Sequence, residues 1–518
     1  MPTSVEDGAE LARGAFVNTL AMVASNLRGV FTFLVARLLG RTTLGIFTIA
    51  WAVTDLLSKI GVFGLDNSVT TFIARAEAAG DRGRSRALFR TAVAVSVSLS
   101  ALVAALAVAA TRLVGGRLGQ PPEVIAALTI VLWAMPGLAL YKVGTAASRG
   151  MKVMRHDVFS RGLTETIGTT LVFLIVLALG ARAAAPQIAA IGGTLASGVV
   201  AVWLAASLFR DRDTVRLPAP SVIEGLSRAK SRGKPHTTPV AAGLVAYAAP
   251  IAGYDLLNTF ILSLDIVMLG LFIGRAPGVT LASVGVYAVG VDVASGLRKV
   301  SQLFNPIFAP VVAAMAAGID DDRAVATYAR LARWTLAILI PLIAVMTFGG
   351  GALLSIYGPG FRAGRVWLGI VAIACATNAF VSLGEVVIMV RRPRLNLLNS
   401  TVTCLVAVGA NLWLIPHFGI TGAAVGILLP YVVQGVLRHV ELRYLFGWPG
   451  RWHELMRPMA AGAVAALPAV GCRLLLDGVA GELLAVAVFL AAYVSAWRLM
   501  GLEPGDQAIV DAMTGRRG

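Results

Sequence analysis

Long apolar runs alternate with short polar connections along the whole chain. Each run approaches the ~20 residues that an α-helix needs to cross the hydrocarbon core of a bilayer. The sequence therefore predicts an all-α polytopic membrane protein of fourteen transmembrane helices, near residues 15–38, 44–64, 88–113, 124–147, 158–180, 187–209, 242–272, 282–312, 327–348, 366–390, 395–415, 420–443, 456–476 and 483–500.

The composition supports a membrane protein over a soluble one. The chain has 518 residues, of which 57% are hydrophobic and 14% are charged, and its mean hydropathy is +0.80. An ordinary soluble domain is about 25% charged. The first apolar run follows the acidic stretch MPTSVEDGAE, so we expect a true first span there and not a secretion signal with a basic start.

The basic residues collect in alternate connections between the predicted spans. The formal net charge is +17. With the N-terminus taken as cytoplasmic, 30 Lys and Arg residues fall in cytoplasmic segments and 9 in outer segments. This bias follows the positive-inside rule and predicts a cytoplasmic (inner) membrane protein with both termini in the cytoplasm. It also accounts for the basic balance without a nucleic-acid partner.

The longest polar loop, 210–239, follows the sixth predicted span and is basic and proline-bearing. It predicts a cytoplasmic linker between two halves. The expected organisation is an N-lobe of six spans at 1–209, the linker, a C-lobe of six spans at 240–447, and two further spans with a cytoplasmic tail at 448–518.

The two halves share a sequence pattern. GRTTLGIFTIAWAVTDLLSK in the first half resembles GRAPGVTLASVGVYAVGVDVASGLRK in the second. Aligning Gly45 with Gly285 places Lys59 on Lys299. Because six spans separate the halves, both run in the same direction, which predicts a parallel repeat of the kind found in one class of transporters.

Sequence motifs of common enzymes are missing from the chain. GxxxxGK[ST], HExxH and GxSxG do not occur, and the predicted outer loops are too short to form a catalytic domain. We expect neither an enzyme nor a bound cofactor or metal. Cys375, Cys404 and Cys472 lie in separate apolar runs without metal-binding spacing, which predicts buried free thiols.

Charged residues inside the predicted spans are the main functional candidates. A charge at the bilayer centre costs about 2.5–3.5 kcal/mol on insertion scales, so such residues usually face the bundle interior or water. The candidate substrate-binding cations are Arg28, Lys59, Lys299 and Arg298. The candidate ion-coupling or cavity acids are Asp55, Asp255, Asp265 and Asp292.

Structural alternatives stay open for several of these charges. Asp55 and Lys59 are one helical turn apart and could form an ion pair within one helix. Arg298 and Lys299 are adjacent and point about 100° apart, so they cannot both face one narrow cavity. Asp265 could pair with Arg28. For Lys142, also inside a span, we favour an ammonium that reaches towards the cytoplasmic interface.

Three stretches resemble polysaccharide transporters, the Wzx-type O-antigen and exopolysaccharide flippases of the MOP flippase superfamily. They are VARLLGRTTLGIFTIAWAVTDLLSKIGVFGLDNSVTTFIARAEAAGD (35–81), LDIVMLGLFIG with VGVYAVGVDVASGLRKVSQLFNPIFAPVVAAM (264–315), and IPHFGITGAAVGILLPYVV (415–433). Together they extend over nearly the whole chain. Arg41 and Thr42 depart from the acidic or proline residues that this family commonly has before Leu-Gly.

The resemblance implies two pseudo-symmetric six-helix lobes plus two C-terminal helices. It also implies a central cavity that opens alternately to the two sides of the membrane. The implied cargo is an undecaprenyl-pyrophosphate-linked oligosaccharide for cell-surface polysaccharide such as O-antigen of lipopolysaccharide, or exopolysaccharide. Membrane lipids, a coupling H⁺ or Na⁺, and the polysaccharide polymerase machinery are the implied partners.

Other functions stay open at this point. The lipid II flippase and the MATE multidrug exporters share the implied fold. A cationic-drug exporter should have a predominantly acidic cavity, whereas here Arg28, Lys59 and Lys299 accompany the acids. A membrane-embedded polysaccharide polymerase or ligase should have a large outer loop, and the sequence predicts none.

Overall fold

The computed structural model describes residues 28–211, 240–303, 321–445, 447–448 and 452–500. All regular structure in these segments is helical, without any strand. The α-helices of the first half are α1 Arg28–Val62, α2 Leu65–Ala78, α3 Arg82–Val114, α4 Pro122–Val131, α5 Met135–Gly150, α6 Arg155–Asp157, α7 Thr166–Ala178 and α8 Ala185–Asp211. A 3₁₀ turn joins α4 to α5, and the π-helix Val158–Glu165 joins α6 to α7.

The second half is helical in the same way. Its α-helices are α9 Val240–Leu271, α10 Leu281–Ser295, α11 Asp321–Phe348, α12 Gly350–Ser355, α13 Arg365–Arg391, α14 Pro393–Leu445, α15 Trp452–Leu475 and α16 Gly478–Leu499. Short 3₁₀ segments follow α10 at Gly296–Lys299 and Ser301–Leu303, and another precedes α13 at Phe361–Gly364. The predicted linker lies almost wholly outside the described residues.

Eleven helical stretches among the described residues are long and apolar enough to cross a membrane. Two of them are much longer than one crossing needs, at 50 residues for Gly29–Ala78 and 51 for Leu395–Leu445. Each contains a glycine with non-helical backbone, Gly40 in α1 and Gly419 in α14. Their positions match two predicted span boundaries, while the full count of fourteen spans stays a prediction.

The described residues fall into two compact units. The first contains the chain up to Val35 and Ile46–Ser263, and the second contains Ala36–Gly45 and the chain from Leu264 onward. The division therefore runs through α9, and it assigns the middle of α1 to the second unit. The predicted lobe boundaries at 1–209 and 240–447 stay a prediction.

Glycines bring α5 and α8 together in the first unit. A Cβ atom on Gly144 would come within 2.7 Å of the Ala201 backbone, and one on Gly137 within 2.8 Å of Leu195. Small residues are common where membrane helices approach closely, because lipid provides no hydrophobic drive for association. On the other side of α5, an apolar core joins α2 and α3, in which Phe89 stacks on Phe209 of α8.

Helices α15 and α16 are attached to the rest of the second unit by alanine packing and by one buried carboxylate. Ala461, Ala465 and Ala469 are buried against Ala344 of α11. Glu482 near the start of α16 is buried and accepts hydrogen bonds at its carboxylate from the Arg362 guanidinium, at 2.9 Å, and from the backbone N–H of Ala352.

Two equivalent glycines of the predicted repeat contact each other within the second unit. A Cβ on Gly45 would overlap the carbonyl oxygen of Leu281, and a Cβ on Gly285 would overlap the carbonyl oxygen of Arg41. Arg41 and Leu281 are also equivalent in the alignment. The contact is therefore reciprocal, as when two equivalent segments meet around a local two-fold axis.

Candidate functional site

Two lysines from different helices converge in the first unit. Lys59 lies on the last turn of α1 and Lys142 lies on α5, and both side chains are half-buried. The Lys142 ammonium donates a hydrogen bond to the Ser58 hydroxyl at 3.4 Å. Ser58 in turn donates to the backbone carbonyl of Asp55 at 2.7 Å. These bonds bring the α5 ammonium beside the charged turn of α1.

The break between α1 and α2 positions further polar groups. Phe63 and Gly64 have φ values of 51° and 65°, so the chain turns sharply after α1. A Cβ on Gly64 would come within 2.8 Å of the Ala248 carbonyl oxygen, which shows how closely α9 passes. Three residues after Gly64, the Asn67 amide of α2 donates to the Asp255 carboxylate of α9 at 3.4 Å.

These groups form one network of charges, which we call the lysine–aspartate cluster: Asp55, Lys59, Asp66, Lys142 and Asp255. The Lys142 ammonium interacts electrostatically with charges on the first two helices, those of Lys59, Asp55 and Asp66. The Asp255 carboxylate interacts with Asp66 and with both lysines. The cluster thus combines two ammonium groups and three carboxylates within one unit.

A second polar cluster lies buried in the second unit. The Tyr287 hydroxyl donates a 2.7 Å hydrogen bond to Oδ2 of Asp265. Oδ1 of Asp265 is also buried and has no hydrogen-bond partner among the described residues. The Arg298 guanidinium lies over the Tyr431 ring, 5.8 Å from its centre, and interacts electrostatically with Cys375 and Asp265. We call these five residues the Asp265 cluster.

The remaining predicted site residues are Asp292, Lys299 and Arg28. The Asp292 side chain is exposed on α10. Lys299 ends the 3₁₀ turn after α10 and is half-buried, whereas its neighbour Arg298 belongs to the Asp265 cluster. Arg28 is the first residue of α1, and its side chain lies outside the described part of the chain.

These contacts bear on three of the sequence interpretations. Among the described side chains no ion pair joins Asp55 to Lys59, and the charges of both interact with Lys142 of α5. The Lys142 ammonium donates to Ser58 of α1, and its expected position towards the cytoplasmic interface stays a prediction. Asp265 finds a partner in Tyr287, a residue that the sequence analysis did not select.

The sequence analysis also missed Asp66 and Asn67, since both lie just after a predicted span. The pattern Asp-Asn at the start of a helix that follows a glycine break was the available signal. Within the described ranges, no group of three or more His, Cys, Asp and Glu side chains has the arrangement of a metal site. All three cysteines are free, and Cys375 is buried.

Comparison with solved structures identifies the fold. The lipid II flippase MurJ in an inward closed conformation aligns over 94% of this chain and 98% of its own, with a TM-score of 0.66 and 10% identity. An inward-facing MATE multidrug resistance transporter of the MOP superfamily aligns over 82% of this chain and 94% of its own, with a TM-score of 0.59 and 13% identity. The Vibrio cholerae MATE transporter VcmN aligns over 82% and 98%, with a TM-score of 0.52 and 16% identity.

The sequence comparisons place the chain in a family. No curated protein matches the sequence. The profile of the family described as "Polysaccharide biosynthesis protein" matches residues 11–309, which is more than half of the chain. The chain therefore belongs to the polysaccharide biosynthesis protein family, and its fold is that of the flippases and exporters of the MOP superfamily.

Proposed function

We propose that this protein is a flippase that moves a polyprenyl-pyrophosphate-linked oligosaccharide across the cytoplasmic membrane by alternating access. Its cargo would serve the synthesis of cell-surface polysaccharide, as the family match suggests. The observation that carries the proposal is the convergence of Lys59 and Lys142 from two helices of one unit. Two ammonium groups at one place offer a pyrophosphate several charge-assisted hydrogen bonds.

The aspartates of the lysine–aspartate cluster give the lysines partners when no cargo is bound. An unpaired charge in a membrane segment is costly, so Asp55, Asp66 and Asp255 would stabilise the two ammonium groups in the empty protein. A bound pyrophosphate would compete with these carboxylates for the same ammonium groups. A ligand shifts populations only when it binds one conformation more tightly than another. Pyrophosphate binding would therefore favour the conformation in which the two lysines interact least with the aspartates.

The experiment is complementation of a strain that lacks this gene, with lipid-linked intermediates measured directly. Lys59→Ala and Lys142→Ala should each reduce surface polysaccharide and cause the lipid-linked oligosaccharide to accumulate on the cytoplasmic side. A hydrogen bond to a charged group contributes about 1.5–3 kcal/mol, so we expect binding of the cargo to weaken by roughly 10- to 150-fold. Lys59→Arg should retain part of the activity because it keeps the charge.

Arg90→Ala is the matched control, because Arg90 is exposed on α3 and outside the cluster. Protein level in the membrane is measured for every variant, which separates loss of insertion from loss of transport. If Lys59→Ala and Lys142→Ala both export normally at normal protein level, the lysines have a structural role and the proposal is wrong. If lipid II accumulates in place of the surface-polysaccharide precursor, the cargo of this protein is lipid II, as it is for the lipid II flippases.

Export of cationic drugs is the second candidate, because three carboxylates face two ammonium groups in the lysine–aspartate cluster. Efflux of a fluorescent cationic dye from the same strains distinguishes it. Under the flippase proposal, dye efflux is unaffected by Asp255→Asn while polysaccharide export responds to the lysine variants. Dye efflux that depends on Asp255, without accumulation of lipid-linked sugar, would favour the exporter.

We further propose that Asp265 carries the coupling cation, with a proton as the simplest choice. Its buried carboxylate has one oxygen bound by Tyr287 and one oxygen without a partner among the described residues. A buried carboxylate charge is costly, and protonation removes that charge. Uptake and release of this proton would accordingly bias the second unit between conformations.

A further inference from the structure

An apolar groove of about 370 Å³ lies in the second unit between α11, α13, α14 and Trp448. Its size is within the range of small-molecule sites in proteins. Most of its lining is aliphatic or aromatic, with Val325, Ala329, Ala332, Val381, Val432 and Val436 among the residues. The groove shares no residue with the lysine–aspartate cluster or the Asp265 cluster, so the proposed transport site does not account for it.

Two buried N–H donors in the groove lack acceptors among the described residues. Arg438 is 3% exposed and donates from Nη1 to the Val381 carbonyl and from Nη2 to the Glu385 carboxylate, each at 2.9 Å, but its Nε has no partner. Trp448 is 5% exposed, and its Nε1 has no partner either. Since buried donors are normally satisfied, both positions indicate an acceptor that the described residues do not supply.

The basic rim of the groove favours an anion as this acceptor. His439 and Arg443 line the same opening, and Arg443 is exposed. The apolar side opens outward at Val432 and Val436, which are both exposed on α14. An occupant must therefore combine an anionic head with an apolar body that is continuous with the surrounding lipid. Trp448 also has the residue type that is enriched where membrane helices meet the headgroup layer.

We propose that the groove binds one anionic phospholipid. Its phosphate accepts hydrogen bonds from Trp448 Nε1 and Arg438 Nε, with Arg443 and His439 close to its charge, and an acyl chain occupies the apolar lining. The basic end of α14 belongs to the side that the positive-inside rule assigns to the cytoplasm, so the lipid comes from the cytoplasmic leaflet. Such a lipid would contact α11, α13 and α14 at once and stabilise their packing.

Native mass spectrometry of the purified full-length protein tests this site. The probes are phosphatidylglycerol, the zwitterionic phosphatidylethanolamine with the same acyl chains, and undecaprenyl phosphate. The wild-type protein should bind phosphatidylglycerol about tenfold more tightly than phosphatidylethanolamine, as expected for one additional charge-assisted contact. Val436→Trp, which fills the groove, should abolish this preference. Val440→Trp is its control, because Val440 is exposed one turn further along α14 and does not line the groove.

Two gentler variants keep the test decisive if the tryptophan variant fails to fold. Trp448→Phe retains an aromatic ring but removes the N–H donor, and Arg443→Gln removes a rim charge. Each should weaken phosphatidylglycerol binding by about tenfold, while Arg330→Gln, an exposed α11 residue outside the groove, should leave it unchanged.

Three results would overturn the proposal. The first is equal binding of both phospholipids by the wild-type protein, which would indicate ordinary surrounding lipid. The second is phosphatidylglycerol binding that is unaffected by Trp448→Phe and Arg443→Gln. The third is saturation of the Val436-dependent site by undecaprenyl phosphate but not by phosphatidylglycerol, which would assign the groove to a polyprenyl chain.

Discussion

The contact between Gly45 and Gly285 leads to a prediction about paired substitutions. Replacing either glycine by alanine adds a methyl group where the opposite chain already lies, because each new Cβ would be within about 3 Å of the other glycine's backbone nitrogen. The two backbones must move apart to accept it. Overpacking of this kind typically costs about 1–3 kcal/mol.

The two substitutions should not be additive. Once the backbones have separated for the first methyl group, much of the space for the second already exists. We therefore expect the Gly45→Ala, Gly285→Ala double variant to lose less stability than the sum of the single variants, by roughly 0.5–3 kcal/mol, the range of coupling between residues in contact. Two independent sites would give the simple sum.

Thermal unfolding of the detergent-solubilised protein, followed by size-exclusion chromatography, measures this coupling. Gly409→Ala is the control, because Gly409 lies in helix α14 of the same unit with open space around its Cβ position. That change should be neutral or stabilising, since alanine is favoured over glycine in a helix. If Gly45→Ala unfolds at the same temperature as the Gly409→Ala control, the close crossing does not exist in the membrane protein.

Two further substitutions test the buried carboxylates of Glu482 and Asp265. Glu482→Ala removes the carboxylate that holds Arg362 and should destabilise the protein by about 3 kcal/mol, the lower end for a buried ion pair because Arg362 is 37% exposed. A melting temperature equal to that of the control Asp477→Ala would refute this role. Asp265→Asn, which imitates a protonated carboxyl group, should preserve folding but make polysaccharide export insensitive to collapse of the proton gradient. Unchanged export with unchanged gradient dependence would exclude Asp265 as the coupling residue.

The membrane architecture could be predicted from sequence because its signals are local. A run of apolar residues fixes a span by its length alone. Even two breaks that the structure shows inside continuous helices, at Gly40 and Gly419, lie between predicted spans. The equivalence of Gly45 and Gly285 was also found in the sequence, and their reciprocal contact agrees with it.

The lysine–aspartate cluster could be predicted only in part. Asp55, Lys59 and Asp255 were selected because each is a charge within an apolar run. Their grouping with Lys142 and Asn67 depends on how α5, α2 and α9 pack, and Asn67 and Asp255 are 188 residues apart in the chain. A single sequence does not contain that information, and so the contact of the Lys142 ammonium with Ser58 of α1 was not predicted.

Two equivalent positions of the predicted repeat carry different residues, and this difference indicates a buried polar contact. Phe47 and Tyr287 are equivalent in the repeat, yet Phe47 packs in an aromatic group with Phe31 and Trp51, whereas the Tyr287 hydroxyl binds Asp265. A hydroxyl added to a buried ring needs a partner, because an unsatisfied polar group inside a protein is costly. A tyrosine that replaces phenylalanine in one half of a repeat therefore indicates a buried polar partner in that half alone.

This asymmetry supports a division of roles between the two units. The lysine–aspartate cluster is half-buried and its charges have several alternative partners, which suits the binding and release of a large anionic cargo. The Asp265 carboxylate is buried and accepts one short hydrogen bond from Tyr287, which suits a single small cation. If the predicted repeat reflects a duplication, the second half could lose cargo contacts while the first kept them. From that division we predict that Lys299→Ala reduces polysaccharide export less than Lys59→Ala or Lys142→Ala does in the same complementation assay.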